Sequence, residues 1–197
     1  MISAQDALKR LKEGNLRFVA GRSAEINRTH KLVENQEPFA IVLGCSDSRV
    51  PPELVFDHGV GDMFVIRVAG NIVTPLELGS VEFAAIKFGP RLVVVLSHSK
   101  CGAVRATVDT IQSSEPAELS EGMEIIVGQI EGSVDRDAEH DLDTVVCNSI
   151  EANLKNSVNR LRTCSPVLQS LLENDGMMIV GAHYSIETGV VEFFEGE

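Results

Sequence analysis

The chain has 197 residues, a length that fits one domain with a buried core. Acidic residues outnumber basic residues by 29 to 17, and a net charge of −12 argues against nucleic acid and anionic membranes as partners. Apolar residues make up 44% of the sequence, which excludes a disordered chain, and no apolar run approaches the ~20 residues of a membrane span.

The N-terminal segment is charged and amphipathic. Residues 4–20 place apolar side chains at helical spacing and therefore predict a helix. Its predicted apolar face consists of Ala7, Leu8, Leu11, Leu16 and Phe18. This face packs either on its own domain or on a partner subunit. The segment lacks the apolar centre and the small-residue cleavage site of a signal peptide, so we expect a soluble cytoplasmic protein.

Short apolar runs of strand length alternate with helical patterns along the rest of the chain. Four runs without polar alternation predict buried strands at 38–44, 62–70, 91–98 and 177–184. Helices are predicted at 74–88, at 101–111, over most of 123–173, and at 165–174 with Ser165 as cap and Pro166 in the first turn. Residues 190–194 follow a turn and predict an edge strand.

Buried strands separated by helices indicate a mainly parallel sheet that is covered on both faces. We therefore predict an α/β fold. Its central sheet has about four parallel strands plus an antiparallel edge strand, and it is flanked by helices with an N-terminal helical arm. In such sheets, ligands bind at the carboxyl ends of the strands.

Two motifs with metal-binding side chains lie at those strand ends. Cys45 follows the first strand in GCSDSR, and His98 and Cys101 follow the third strand in SHSKC. Thiolate and imidazole are preferred zinc ligands, and three protein ligands leave a fourth position open for water, as in catalytic sites. A fourth ligand distant in sequence is an alternative, and so is a role for both cysteines as small buried hydrophobic residues.

A carboxylate and an arginine follow the first cysteine closely. Asp47 and Arg49 lie two and four residues after Cys45. An arginine can bind a carboxylate through two hydrogen bonds and keep it ionised. Near a zinc ligand, such a carboxylate either orients a metal-bound hydroxide or coordinates the metal itself. The alternative is an ordinary surface ion pair, which contributes little to stability.

The run GCSDSRVPPELVFDHGVGDMFVIRVAGN (44–71), followed by LSHSKCGAV (96–104), resembles the β-class carbonic anhydrases. The resemblance covers roughly residues 4–194 in layout and is densest over 36–104. It implies a single domain over residues 1–197, with an N-terminal helical arm over 1–35 that packs on a partner subunit. It also implies a homodimer or homotetramer with no nucleic-acid or membrane partner.

The family's functional residues match particular positions of this sequence. The resemblance implies one Zn²⁺ per chain, held by Cys45, His98 and Cys101, and a catalytic dyad of Asp47 and Arg49. Zinc-bound hydroxide, oriented by the dyad, would hydrate carbon dioxide reversibly to bicarbonate and a proton. In some members the matching aspartate coordinates zinc in a closed state, and we expect an open site here at neutral pH. The implied substrate-binding residues are Gln36, Phe64, Ala69, Phe83 and Gly102.

Several positions depart from the family pattern. Phe83 stands where plant-type members have a tyrosine, and Ser97 stands where a glycine usually precedes the histidine. Some members have a second, inhibitory bicarbonate pocket built on a tryptophan. Val42 occupies that position here, although Arg67 and Tyr184 resemble other parts of that pocket. The residue that carries the released proton to solvent is not identified, and the candidates by chemistry alone are His30, His58, His140 and His183.

Three other functions compete with carbon dioxide hydration. The same scaffold could hydrolyse carbonyl sulfide or carbon disulfide, which are also linear and apolar. A zinc-stabilised regulatory protein without turnover is disfavoured, because structural zinc needs neither the Asp47–Arg49 pair nor Gln36. A thiol redox protein is disfavoured because a C-x-x-C motif is absent. We interpret Cys147 and Cys164, on predicted helices, as packing residues.

Overall fold

The computed structural model of the chain describes residues 2–22, 35–113, 118–136 and 141–194. Over these residues the chain forms a five-stranded sheet flanked by helices. The strands are β1 (Ala40–Gly44), β2 (Met63–Arg67), β3 (Leu92–His98), β4 (Met178–Tyr184) and β5 (Val191–Phe194). The helices are α1 (Ala4–Val19), α2 (Pro52–Val55), α3 (Pro75–Lys87), α4 (Gly102–Gln112), α5 (Glu121–Ile130), α6 (Leu142–Thr163) and α7 (Pro166–Asn174).

The strand order is β2-β1-β3-β4-β5, and this order confirms the predicted fold class. The first four strands of this order are mutually parallel, and β5 is antiparallel to β4. Strands β1 and β3 are direct neighbours, with Gly44 beside Leu96. The residues that follow β1 and the end of β3 therefore meet at the same edge of the sheet.

Both faces of the sheet are buried, which explains why the strands carry no polar alternation. On one face, Val94 and Leu96 of β3 pack with α1 and α2. On the other face, Val93 and Val95 pack with α3, α6 and α7. All seven residues of β3 are buried. The predicted α/β layering, with helices on both sides, is thus the observed one.

A third apolar cluster lies at the carboxyl ends of the strands. It consists of Cys45, Ile72, Cys101, Val104, Val108, Ile130, Val134, Val145, Val146 and Ile150. Its members come from the loops after β1 and β2 and from α4, α5 and α6. The two motif cysteines are therefore held in a packed apolar layer rather than in mobile surface loops.

Helix α1 is anchored to this chain's own domain by a buried asparagine. Asn15 is 3% exposed, and its amide donates to the carbonyl oxygens of Val55 at 3.0 Å and Gly189 at 2.9 Å. Its Oδ1 accepts from the N–H of Val191 at 2.9 Å. The helix thus joins α2 to the β4–β5 hairpin. Whether the predicted 1–35 arm also packs on a partner stays a prediction, and residues 23–34 lie outside the described residues.

Leu16, on the predicted apolar face of α1, is 68% exposed in this chain, so its packing on a partner subunit stays a prediction. Other predicted details are wrong. Strand β2 ends at Arg67 rather than at residue 70, since the chain turns there and the N–H of Asn71 donates to the Val68 carbonyl at 3.1 Å. Helix α2 was not predicted. No described helix is both long and apolar enough to cross a bilayer.

Gly14 of α1 lies directly against the backbone of α2. A Cβ atom at this position would overlap the carbonyl oxygen of Phe56. We therefore predict that Gly14→Ala lowers the free energy of unfolding by about 2–3 kcal/mol, despite the better helix propensity of alanine. Urea unfolding followed by circular dichroism measures this change.

The matched control for this prediction is Gly128→Ala in α5. Among the described residues no atom lies within 4 Å of a Cβ built at Gly128. This substitution should be neutral or stabilise by up to about 1 kcal/mol, because only helix propensity changes. Equal unfolding free energies for the two variants would show that α1 does not pack closely on Phe56.

Candidate metal centre

The structure brings three motif residues together at the carboxyl edge of the sheet. Cys45 directly follows β1, His98 is the last residue of β3, and Cys101 is the N-cap of α4. Their candidate ligand atoms all lie within 4.8 Å of one another, and the two Sγ atoms are 4.0 Å apart. All three residues are buried. Residues far apart in sequence thus present two sulfurs and one imidazole to a common point.

The imidazole of His98 is oriented by the backbone. Its Nδ1 lies 2.9 Å from the carbonyl oxygen of Ser99. A carbonyl oxygen can only accept, so Nδ1 carries the hydrogen and Nε2 presents its lone pair. Nε2 is buried, and it has no hydrogen-bond partner among the described residues. A buried polar atom without a partner is costly, so this lone pair fits a metal ligand.

The two thiols lie close enough to shift each other's pKa. The hydrogen bond from Cys101 lowers the pKa of Cys45 to about 4, and burial opposes this shift. Further lowering comes from His98 and from the N–H of Gly70, which donates to the Cys45 Sγ at 3.4 Å. The pKa of Cys101 is raised, first by Cys45 and then by burial. Two thiolates this close repel each other unless a cation lies between them, so the pair fits a divalent metal.

The donor set fits zinc and does not fit magnesium or calcium. Zinc accepts thiolate sulfur and imidazole nitrogen in a tetrahedral arrangement, whereas magnesium and calcium select oxygen ligands. Within the described ranges, no fourth His, Cys, Asp or Glu atom joins the group of Cys45, His98 and Cys101. Three protein ligands leave one tetrahedral position for solvent, which is the pattern of catalytic rather than structural sites.

Asp47 is paired with Arg49 rather than grouped with the ligand atoms. Its Oδ2 accepts from Nη2 of Arg49 at 2.7 Å, and its Oδ1 accepts from Nε and from the backbone N–H of Arg49, both at 2.9 Å. The Arg49 hydrogen bonds hold the pKa of the Asp47 carboxyl well below its usual range. Asp47 is therefore a fixed anion. The state of the site at neutral pH stays a prediction.

Polar contacts tie down the loops that carry the ligands. Arg67 donates to the carbonyl oxygens of Cys45 at 3.0 Å and Asp47 at 2.6 Å. Arg67 had been compared with the second bicarbonate pocket of some family members, but here its guanidinium holds the loop after β1. Tyr184, the other residue of that comparison, packs its ring beside Phe18 at 6.5 Å.

The loop between His98 and Cys101 is tied to the β4–β5 turn. Ser99 Oγ donates to Glu187 Oε2, and Lys100 Nζ lies near Glu187 Oε1, both at 2.7 Å. Lys100 and Ser99 lower the pKa of Glu187 to about 2. Sequence reasoning missed Ser99 and Glu187, because nothing in a single sequence relates residues 88 positions apart.

Four of the five predicted substrate-binding residues form two pairs in different places, and Gln36 lies apart from both pairs in sequence. Ala69 is next to Gly70, and Gly102 follows Cys101, so both are adjacent in sequence to groups of the ligand cluster. Phe64 and Phe83 lie on the α3 side of the sheet, with ring centroids 6.3 Å apart, and both rings also contact Phe88. Gln36 is exposed. The assignment of these five residues to substrate binding stays a prediction.

Two of the four candidate proton carriers lie in described parts of the chain. His183 is half-buried, its Nδ1 is 3.0 Å from Ser97 Oγ, and its pKa is lowered by burial. His58 packs its ring against Phe39, and its Nδ1 is 3.4 Å from Asp62 Oδ2. His30 and His140 lie outside the described residues.

Sequence reasoning also missed Gly70. The run 62–70 was interpreted as a strand, but Gly70 has a φ of 74°, in the left-handed region that favours glycine. This conformation directs its N–H at the Cys45 sulfur. A glycine at the end of an apolar run is the available signal, although it does not say which group the amide contacts.

Comparison with known proteins gives a consistent set of relatives. The carbonic anhydrase family model matches residues 40–191. The chain is 38% identical over 191 residues to a carbonic anhydrase of Mycolicibacterium smegmatis, covering 94% of this chain and 91% of that protein. It is 48% identical over 109 residues to carbonic anhydrase 2 of Mycobacterium tuberculosis, covering 53% of each.

Solved structures show the same fold. A tetrameric β-carbonic anhydrase of Sordaria macrospora aligns with a TM-score of 0.73 at 22% identity, covering 83% of this chain and 84% of that one. A Coccomyxa β-carbonic anhydrase in complex with acetazolamide also aligns with a TM-score of 0.73, at 20% identity, covering 98% of this chain and 85% of that one.

The donor geometry predicts that Cys45→Ser abolishes stable metal binding, because a neutral hydroxyl replaces one of two thiolates. Wild-type protein, dialysed against metal-free buffer, should retain about one zinc ion per chain, and the variant should retain less than about a tenth of that. Elemental analysis measures both. The control is Cys147→Ser, because Cys147 is exposed on α6, and it should retain zinc like the wild type. Full zinc content in Cys45→Ser would contradict the ligand assignment.

Proposed function

The chain belongs to the β-carbonic anhydrase family, and from this premise we propose that it catalyses the reversible hydration of carbon dioxide to bicarbonate at the Cys45–His98–Cys101 centre. As a member of this family it is a carbonate dehydratase. One observation supports the location above all. Two thiols and an imidazole nitrogen, which has no hydrogen-bond partner in the described parts of the chain, converge within 4.8 Å in a buried layer.

Zinc is the proposed cofactor. Bound zinc lowers the pKa of the water that it binds to about 7, and so supplies a nucleophile near neutral pH. Cys45, His98 and Cys101 would hold it through two sulfurs and Nε2. The hydrogen bond from His98 Nδ1 to Ser99 keeps the imidazole in the tautomer that a metal requires.

Asp47 and Arg49 are proposed to orient the reacting water. Arg49 donates a side-chain hydrogen bond to each carboxylate oxygen of Asp47 and keeps Asp47 ionised. A carboxylate oxygen retains further acceptor capacity beyond these hydrogen bonds. Asp47 can thus accept a hydrogen bond from water and direct its oxygen at the substrate carbon. This orientation supplies proximity and alignment, which matter most for a small uncharged substrate.

Five residues are proposed to bind the substrate and product. Carbon dioxide carries no charge, so the apolar groups of Phe64, Ala69 and Phe83 would hold it by exclusion of water. Phe64 and Phe83 lie on the α3 side of the sheet, apart from the cluster of Cys45 and Cys101, so they would serve the centre of a second copy of this chain. The side-chain amide of Gln36 and the N–H of Gly102 are the proposed donors to the developing bicarbonate oxygen. Gly102 is the first residue of α4, where backbone N–H groups lack helical partners.

A homodimer or homotetramer is part of the proposal. Strand β2 is an edge of the sheet, and the helix that packs on it, α3, exposes a row of apolar side chains. Leu76 is 80% exposed, Ile86 is 68% exposed and Phe83 is 54% exposed. Apolar rows of this kind mark interfaces more often than free surface. The related Sordaria protein is tetrameric, which favours a second copy of this chain as the occupant.

The dyad predicts a specific loss of turnover. Asp47→Asn keeps the size of the side chain but removes the charge and replaces one acceptor oxygen by an NH₂ donor, so it should reduce kcat by about 10²- to 10⁴-fold and leave the zinc content unchanged. Stopped-flow hydration of carbon dioxide, with a pH indicator, measures this rate. Asp109→Asn is the matched control, because Asp109 forms a comparable surface pair with Arg105. A normal kcat for Asp47→Asn would contradict the role of the dyad.

The hydration assay, together with a sulfide assay, distinguishes carbon dioxide from the alternative substrates. Carbonyl sulfide and carbon disulfide have the linear, apolar shape of carbon dioxide, and their hydrolysis would release sulfide. Rapid hydration of carbon dioxide by zinc-loaded wild-type protein is the expected result. Sulfide release without hydration of carbon dioxide would contradict the proposed reaction and favour the hydrolase.

The apolar row on α3 predicts the effect of charge on assembly. The double variant Leu76→Glu, Ile86→Glu should shift the molar mass measured by light scattering toward that of one chain, 21.3 kDa, because a buried interface does not tolerate unpaired carboxylates. Val190→Glu is the control, since Val190 is also exposed but lies beside β5, at the opposite edge of the sheet. An unchanged mass for the double variant would exclude α3 from the interface.

A further inference from the structure

Helix α6 carries a buried row of polar side chains. Ser149, Asn153 and Ser157 are spaced four residues apart and are 1%, 2% and 3% exposed. Buried polar groups require hydrogen bonds, and the three residues find them differently. Ser149 Oγ donates to the Val145 carbonyl of its own helix at 2.8 Å. Asn153 and Ser157 instead reach out of the helix.

Both of these side chains hold the turn that follows β2. Asn153 Nδ2 donates to the carbonyl oxygen of Gly70 at 2.8 Å, and Ser157 Oγ donates to the carbonyl oxygen of Asn71 at 3.0 Å. Gly70 has a φ of 74° and Asn71 a φ of 44°, so two successive residues lie in the left-handed region. Such a backbone persists only where its surroundings determine it, and here α6 supplies the donors.

A hydrogen bond links the turn to the metal centre. The N–H of Gly70 donates to the Sγ of Cys45 at 3.4 Å. A Cβ at Gly70 would lie 2.7 Å from Cδ1 of Ile130, so the glycine is also confined from the side of α5. The direction of the Gly70 N–H therefore depends on the backbone conformation of Gly70. That conformation is held by the hydrogen bond from Asn153 to the Gly70 carbonyl oxygen.

We propose that Asn153, assisted by Ser157, is a positioning residue for the metal centre. Asn153 touches neither ligand nor substrate. It fixes the turn that directs the Gly70 amide at the Cys45 thiolate, and so tunes how strongly that sulfur donates to a metal. This inference rests on the metal centre of the proposed function. It extends the functional unit to α6, where Asn153 lies 52 residues beyond Cys101.

The physical consequence is a change in the sulfur itself. An N–H hydrogen bond stabilises the lone-pair electrons of a thiolate, because the donor carries a partial positive charge. Without that bond the sulfur electrons lie higher in energy, and charge transfer from sulfur to a metal then requires less energy. Outer hydrogen-bond partners of metal ligands typically change metal affinity by about 10- to 100-fold.

Cobalt(II) provides the probe, because thiolate–cobalt charge transfer is visible by absorption. Zinc is removed from the full chain with a chelator and replaced by Co²⁺. Asn153→Leu keeps the side-chain size and removes the donor. It should move the charge-transfer band to longer wavelength, because the hydrogen bond to the thiolate is weakened or lost. It should also speed the loss of Co²⁺ to excess chelator by roughly 10- to 100-fold, because the turn beside Cys45 is no longer held. Ser157→Ala removes only the second donor and should show smaller changes in the same directions.

Ser149→Ala is the matched control, because it removes a buried hydroxyl from the same face of α6 that bonds only within the helix. Its band and dissociation rate should equal those of the wild type. Folded Asn153→Leu protein with an unshifted band would overturn the proposal, even if Co²⁺ left faster, because faster loss alone reflects general loosening. If Asn153→Leu does not fold, Ser157→Ala tests the proposal instead, and an unshifted charge-transfer band in that variant would overturn it.

Measurements on the wild-type protein show whether a failure concerns this inference or the proposed function. Wild-type protein without a thiolate–cobalt band would overturn the metal centre and the role of Asn153 together. A normal wild-type band with unchanged variants would overturn only the role of Asn153. A normal wild-type band, shifted variants and no hydration of carbon dioxide by the zinc form would support the positioning role and contradict the proposed reaction.

Discussion

The site depends on holding two sulfurs 4.0 Å apart in an apolar layer, together with an imidazole nitrogen that has no other partner among the described residues. Repulsion between two thiolates and the desolvation of each would open such a cluster if the backbone could relax. The fold prevents this relaxation. Cys45 and His98 come from the ends of two hydrogen-bonded strands, and Cys101 caps a helix that packs into the same layer.

Two arginines lie beside the anionic groups of the cluster, although the chain as a whole is acidic. The protein carries −12 overall, and Asp47 adds a further anion beside two potential thiolates. Arg49 binds the Asp47 carboxylate directly, and Arg67 binds the carbonyl oxygens of Cys45 and Asp47. These two guanidinium groups keep the anions ordered without touching the sulfurs. Neither guanidinium bonds to the Cys45 or Cys101 sulfur among the described residues, so a cation bound at the cluster would balance the charge of the thiolates.

The predictable parts of the structure were those governed by local pattern. The uninterrupted apolar run of β3 indicates a strand that is buried on both sides, and the motif residues at strand ends follow from the general rule for parallel sheets. The exposure of Leu16, the end of β2 at Arg67 and the amide of Gly70 did not follow from local pattern. Each depends on which distant group packs against it, and one sequence does not contain that information.

The metal-site motifs and the residues that support them lie in different parts of the chain. The residues proposed for chemical roles lie within 36–102, where the family resemblance is densest, but residues after 140 support the loops that carry them. Asn153 and Ser157 hold the turn beside Cys45, and Glu187 holds the loop between His98 and Cys101. Support of this kind needs only a hydrogen-bond donor or acceptor at the right place, and several residue types provide one. Few residue types can bind the metal, so the metal site can be recognised from a sequence motif. The residues that support it are visible only in the folded chain.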